Sequence, residues 1–397
     1  MTRAKRDSIL YLTMLLTAAV FVIFKMIRGF TVTDEEGGVW NIIQLFYIGT
    51  GCLFLMSRNR EHNSFRCIRL CIFFFLYIWF LSLFPFLFSN KSISQIFGFL
   101  TVPYGLMVLI TFFSVGKRVP INKHSEVLSI SFFLISAILF VAMRSFRMQV
   151  GEQGALADIY YIVALLPLIL VYFPKKFSII PYIVALVCVA MTGKRGAFVA
   201  MIAIFIIYYF FPYYNSKGKK TSVFFRVLIL VFAFAVAYFV LMRFVGRYSL
   251  NIFDRIEQVE TDGGSGRLIR WAKVLAIFQS DTNFFQLIFG HGCNFTMKEL
   301  GGHAHNDFLE FLLDYGLLAV GLYILFFLSL FREGFRMYKA RFRYSREFMC
   351  SLSVAFCMAL FSFYAIDCTH ITCSVICQGL ILADWYNYKR NGYQDAN

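Results

Sequence analysis

Long apolar runs, most of them near twenty residues, follow one another along the chain from end to end, separated by short polar stretches. Runs of that length suit helices that cross a bilayer, whereas the strands of a membrane barrel would alternate apolar and polar positions. The pattern predicts twelve spans: 8–30, 39–56, 70–88, 96–113, 127–143, 159–172, 178–191, 197–211, 223–242, 308–331, 348–366 and 371–386. The sixth and seventh flank FPKKF, where Pro174 and two lysines break the apolar run. One long stretch is not apolar throughout, residues 243–305. It carries a helix-like run, RLIRWAKVLAIFQ, and an apolar patch, FFQLIFG, so it reads as a large, partly helical folded loop. No fixed-period repeat or low-complexity tract is visible.

Composition supports the pattern. The 397 residues are 59% hydrophobic and 15% charged, against about 45–50% and about 25% for a soluble domain. The fold class predicted is an all-α polytopic membrane protein. Fifty Phe and twenty-two Tyr suit bulky packing and interfacial belts. The first span has a basic leading segment but no small-residue cleavage site before Lys25 and Arg28, so it reads as an uncleaved anchor. The ten Cys are scattered, mostly inside apolar runs, without zinc-type spacing; Cys293 lies in a loop and could pair in an oxidising compartment.

A formal charge of +16 would ordinarily suggest nucleic acid. Placing the N-terminus in the cytoplasm puts 24 basic and 7 acidic residues on the inner face, net +17, and 14 basic and 15 acidic residues on the outer face, net −1. The excess is therefore topological, following the positive-inside rule, with both termini cytoplasmic and no nucleic-acid partner.

Candidate chemistry collects on the outer face. His62 and His124 fall in basic inner loops, while His291, His303, His305 and His370 fall outside. Lys194 and Arg195 lie in MTGKRGAF, and Arg267 and Arg270 in GSGRLIRW. Guanidinium groups on the less positive side suit an anionic ligand such as a phosphate, although Arg195 also fits a snorkelling anchor at a span end. Gly263, Gly264 and Gly266 before Arg267, and Gly290 and Gly292 around His291, permit close backbone approach to a ligand or simple turns. In HAHNDFLEFLLDYG, Asn306 or Asp307 can cap the tenth span, and Asp307 with Glu310 has capping-box spacing. His305 then sits at a helix start, where the dipole favours the neutral imidazole, a form able to act as a general base. Asp307, Glu310 and Asp314 share one helical face, which predicts a polar cavity beside them. A metal bound by His303, His305 and carboxylates is the rival reading, but HxH followed by DxxE is not a strong metal spacing.

These segments resemble the O-antigen ligase and O-antigen polymerase family of bacterial surface-polysaccharide enzymes. TGKRGA is similar to that family's small-residue–Arg–Gly turn, SGRLIRW to its Arg-x3-Trp helix, IFGHGCNF to its Gly-x-Gly segment, and HNDFLEFLLDYG to its His-Asn-x9-Gly signature. The four occur in the family's order over roughly a third of the chain. Three positions after the final glycine, where the family often has a small or hydroxyl residue, this chain has Ala319, with the next glycine at Gly321.

The resemblance implies a metal-independent, inverting glycosyltransferase of the membrane-embedded C type, without a cofactor, in the bacterial inner membrane and with a periplasmic active site. Its donor would be a glycan on undecaprenyl pyrophosphate, and its acceptor another lipid-linked glycan (polymerase) or lipid A–core (ligase). A chain-length regulator and a flippase are the protein partners such a system suggests. Carried over by position, Arg195 and Arg267 would hold the pyrophosphate and His305 would take the acceptor proton. Lys194, Arg270, His303, Asn306 and Glu310 form a second tier of substrate-binding candidates. The chain then divides into N-terminal helices (1–191), a catalytic region (192–331) and C-terminal helices with a cytoplasmic tail (332–397). The polymerase is the leading reading because repeat-unit acceptors are the more diverse. A twelve-span secondary transporter or flippase is the rival from another class, but it would place its charges near span midpoints rather than at their outer ends.

Overall fold

The computed structural model describes residues 3–28, 38–56, 65–87, 101–119, 123–149, 157–192, 194–210, 266–365 and 367–390. Among them there are helices and no strands. The helices are α1 Arg3–Arg28, α2 Gly38–Met56, α3 Arg66–Leu87, α4 Thr101–Gly116, α5 Lys123–Gln149, α6 Ile159–Tyr172, α7 Ile179–Ala190 and α8 Arg195–Phe205, which runs on into a wider turn at Ile206–Phe210. The large loop contributes α9 Arg267–Ser280, α10 Phe284–Phe289 and α11 Phe295–Leu300; then come α12 Asp307–Lys339, α13 Ser345–Phe361 and α14 Cys368–Arg390.

Eleven of the twelve expected spans fall on a helix. The ninth, 223–242, lies outside the described residues, as do Gly263, Gly264 and the first part of the loop. Among the described residues three stretches are long and apolar enough to cross a membrane by length and composition: Asp7–Ile27, Ser125–Arg147 and Asp307–Lys339.

The core follows from the apolar pattern. In α6 every residue from Ile159 to Leu170 is buried, as befits a helix apolar on all sides. It packs against α5, α7, α8, α13 and α14. The α4–α14 pair is close because glycines leave room for the facing side chains: Gly105 lies against Ile371, Gly116 against Ala383 and Gly379 against Phe112. By contrast, α12 leaves Leu317, Leu318, Ile324, Leu325 and Leu328 exposed, a stripe that suits lipid contact.

The long helix α12 is broken at Gly316 (φ 78°, ψ −178°), which frees the carbonyls just before it from their usual partners. Other parts of the chain take them up. His291 N donates to Leu313 O (2.8 Å), Gly292 N to Asp314 O (2.9 Å) and the Tyr77 hydroxyl to Tyr315 O (2.8 Å). A Cβ at Gly316 would collide with the Ile288 carbonyl, and one at Gly290 with the Asp314 peptide. The Gly-x-Gly segment and the glycine that ends His-Asn-x9-Gly thus dock on each other, backbone to backbone. At Gly290 the close approach is to the backbone of α12 and not to a ligand, while a Cβ at Gly292 would meet open space.

Candidate functional site

The site is assembled where α12 begins, against α9, the α7–α8 turn and the joint between α13 and α14. Each carboxylate on the first turns of α12 holds a different piece of chain. Asp307 accepts from Tyr364 N (3.1 Å), Ala365 N (2.7 Å) and the Tyr323 hydroxyl (2.8 Å). Glu310 accepts from Ala304 N (2.5 Å) and lies 3.3 Å from His303 Nδ1. Asp314 accepts from Asn294 N (3.0 Å), Thr296 N (2.8 Å) and the Thr296 hydroxyl (2.7 Å). All three are buried. Charges removed from water need several good donors, and these carboxylates find them largely on loop backbone. Where a shared polar cavity was expected, each acid is bonded to a different segment, through backbone N–H groups and the hydroxyls of Tyr323 and Thr296.

Capping falls to Asn306. Its backbone is extended, its side-chain oxygen accepts from Leu309 N (3.2 Å), and its amide donates to Leu360 O (3.1 Å) at the end of α13. The capping box does not form, because Asp307 turns toward 364–365 and Glu310 reaches Ala304 rather than the first helical turn.

Helix α9 clasps the same loop from its other side. Arg270 Nη1 donates to His303 O (2.7 Å) and Trp271 Nε1 to Ala304 O (2.9 Å). This explains the tryptophan of Arg-x3-Trp, and it gives Arg270 a place in building the loop. His305 itself has φ 58°, a left-handed conformation that a side chain with Cβ adopts at a cost of about 1 kcal/mol or more. The conformation is fixed by anchors before it, at residues 303 and 304, and after it, at Asn306.

The cations meet at this histidine. Burial, and then the charges of Arg267, Lys194, Arg270 and His303, push its pKa down to about 3. Its neighbour moves the other way: contact with Glu310 raises the pKa of His303 against the opposing effect of burial. Two histidines separated by one residue are therefore shifted in opposite directions, one by burial and neighbouring cations, the other by a carboxylate. Lys194 is placed by a local turn in which its N–H donates to the Thr192 hydroxyl (3.1 Å). Arg195 is the first residue of α8 and half-buried, and Gly196 after it lets the Tyr160 hydroxyl and Phe361 approach.

Of the other histidines expected on the outer face, His291 stacks on Phe295 (4.1 Å) and pairs with Asp281 (2.9 Å) within the loop. His370 is buried against the rings of Tyr160 and Tyr161. Among the described residues no cluster of three or more His, Cys, Asp or Glu could hold a metal, and none of the described cysteines is in a disulfide. One residue that sequence reasoning passed over is Phe363, whose ring lies 4.8 Å from that of His303 and 4.6 Å from that of His305. Nothing in its spacing sets it apart among fifty phenylalanines.

These features define a helical membrane protein whose loop site sets a neutral imidazole among cations. Residues 180–324, over a third of the chain, match the family described as O-antigen ligase, and this supports the O-antigen ligase and polymerase family. The match runs from α7 to the middle of α12 and includes Lys194, Arg195, Arg267, Arg270, His303 and His305. No curated protein matches the chain.

Proposed function

We propose that the protein is a glycosyltransferase that polymerises lipid-linked surface polysaccharide at the periplasmic face, with undecaprenyl pyrophosphate as the carrier of its donor. The observation that carries this reading is the neutral His305 beside Arg267 and Lys194. The acceptor hydroxyl oxygen attacks the anomeric carbon of the donor sugar as His305 takes its proton. The bond from that carbon to the diphosphate oxygen breaks, and the electron pair leaves with the lipid diphosphate, inverting the anomeric configuration. Arg195 and Arg267 hold the departing anion, and preorganised cations of this kind favour charge that develops in the transition state. Lys194 adds to that field. Asn306 and Glu310 hold the loop, and Arg270 and His303 complete the wall of the site.

The low pKa of His305 bears on when it acts. An imidazole held near 3 is neutral at any physiological pH, but it is also a weak base. A diphosphate seated between Arg267 and Lys194 would neutralise the charges that depress it. Donor binding would therefore raise the basicity of His305 at the moment it is needed.

The ligase is the second reading, favoured by the description of the matched family. The glycan profile of a strain lacking the protein separates the two. A single repeat unit on the lipid A–core supports the polymerase; lipid-linked polymer with bare core supports the ligase. An unchanged profile overturns both.

A further inference from the structure

Phe363 stands outside the matched segment, in the short joint between α13 and α14. That joint is tied to the start of α12 at three points. Asn306 donates to Leu360 O, and Asp307 accepts from both Tyr364 N and Ala365 N. Two bonds from consecutive N–H groups to one buried carboxylate fix the direction in which the preceding side chain leaves the backbone. Residue 363 is that side chain, and its ring meets His305 at an interplanar angle of 33° and His303 nearly edge-on at 68°.

We propose that Phe363 is a positioning residue for His305: the joint tied down by Asn306 and Asp307 lays an aromatic ring on the imidazole, fixes its rotamer and keeps water from that face. The geometry accounts for a feature that local sequence cannot. Lys194 belongs to the α7–α8 turn, Arg267 and Arg270 to α9, and His303 to the loop before α12; these are the charged and titratable groups acting on His305. All are polar and draw water toward the ring. Phe363 is an apolar contact that opposes them, and its ring 4.6 Å away covers one side of the imidazole, so part of the burial that lowers the pKa of His305 is assigned to it. Through Asp307 and Asn306, the residues next to His305 in sequence hold in place the aromatic ring that packs on it.

This inference rests on the reading of His305 as the base, but it can be tested without any substrate. The full-length protein in lipid nanodiscs, labelled with 13C at histidine Cε1, reports the titration of each of its six histidines. The His305 signal is assigned by its loss in His305→Gln. In the unaltered protein it should titrate well below the ordinary value of about 6.5. Phe363→Ala should raise that midpoint by roughly one unit or more, Phe363→Tyr should restore it, and Asp307→Asn should give a smaller rise. A midpoint unmoved by Phe363→Ala overturns the proposal. If that variant does not assemble, Phe363→Leu keeps the bulk without the ring. It should remove the ring-current shift on His305 and broaden its signal, and a sharp, unmoved signal there overturns the proposal instead. Transfer assayed in membranes of the deletion strain separates this from the function. A shifted midpoint with normal transfer in both Phe363→Ala and His305→Gln would keep the positioning role and discard His305 as base.

Discussion

The two ends of α12 treat buried acid in opposite ways. At its far end the carboxylate of Glu333 is enclosed by side chains: Arg336 at 2.5 Å, Lys389 at 3.1 Å and the Trp385 indole N–H at 3.2 Å. Lys389 also lies over the rings of Phe65 and Trp385. Charge is met by charge there, and the result is a closed joint between α12 and α14. At the near end, Asp307, Glu310 and Asp314 take loop N–H groups and hydroxyls as their main donors. Those acids order three loops while the field of Lys194, Arg267 and Arg270 still reaches His305. An acid paired with a cation stabilises a joint; an acid paired with backbone shapes a loop and leaves neighbouring cations able to act on a ligand.

Loss of activity would test that contrast most severely. Arg267→Ala and His305→Ala should each lower transfer on the order of a hundredfold or more while the protein still inserts. Glu333→Gln, at the other end, should leave transfer within about twofold and cost about 1–2 kcal/mol of stability, because its partners are half-exposed. Chain-length profiles on gels, with membrane levels measured by immunoblot, decide this; equal losses at both ends would erase the distinction.

Stability should respond next. Asp314→Ala leaves two backbone N–H groups and a hydroxyl without their acceptor, at about 3 kcal/mol or more. Asp314→Asn retains one acceptor oxygen and should cost less. Thermal unfolding in detergent measures both, and proteolysis within residues 290–296 should rise in the alanine variant. Resistance equal to the parent protein would mean that Asp314 does not hold that loop.

The pH dependence sharpens the comparison further. A base must be unprotonated, and His305, the base proposed above, is so above about 3. The acid limb of kcat/KM should therefore lie far below the ordinary histidine value of about 6.5. Lys194→Ala removes a positive charge that favours the neutral ring, so the limb should move up. If donor binding raises basicity, the limb of kcat should lie above that of kcat/KM. A limb that stays put in Lys194→Ala would separate Lys194 from the site.

The smallest effect belongs to an exposed pair near the far end. Arg343 meets Asp384 at 2.8 Å on the surface, and Arg343→Ala should change stability by less than about 0.5 kcal/mol and activity not at all. A larger change would mean that side-chain pairing at that end carries more than closure.

Helices were the most legible part of the sequence, because a run of apolar residues is a local property and needs no distant partner to be recognised. The motifs put Arg195, Arg267 and His305 forward as one set, whereas the charges that act on His305 are those of Arg267, Lys194, Arg270 and His303. The carboxylates were not legible. Asp307, Glu310 and Asp314 are spaced as one helical stripe, which predicts a shared cavity, yet each turns to a different loop. Asn306 and Asp307 were equal candidates for the cap until an extended backbone at 306 gave the role to the asparagine.

What the sequence by itself determined is an apolar helical chain with a basic and histidine-bearing loop region, since hydrophobicity, charge and helix-start chemistry are written residue by residue. Tertiary structure alone decided which donors the buried acids accept, why Gly290 and Gly316 must lack a Cβ, and which phenylalanine rests on His305. Each of those depends on segments far apart in the chain meeting within hydrogen-bonding or contact distance. Nothing in local spacing encodes such a meeting, because the partners are chosen by the packing of the whole helical bundle.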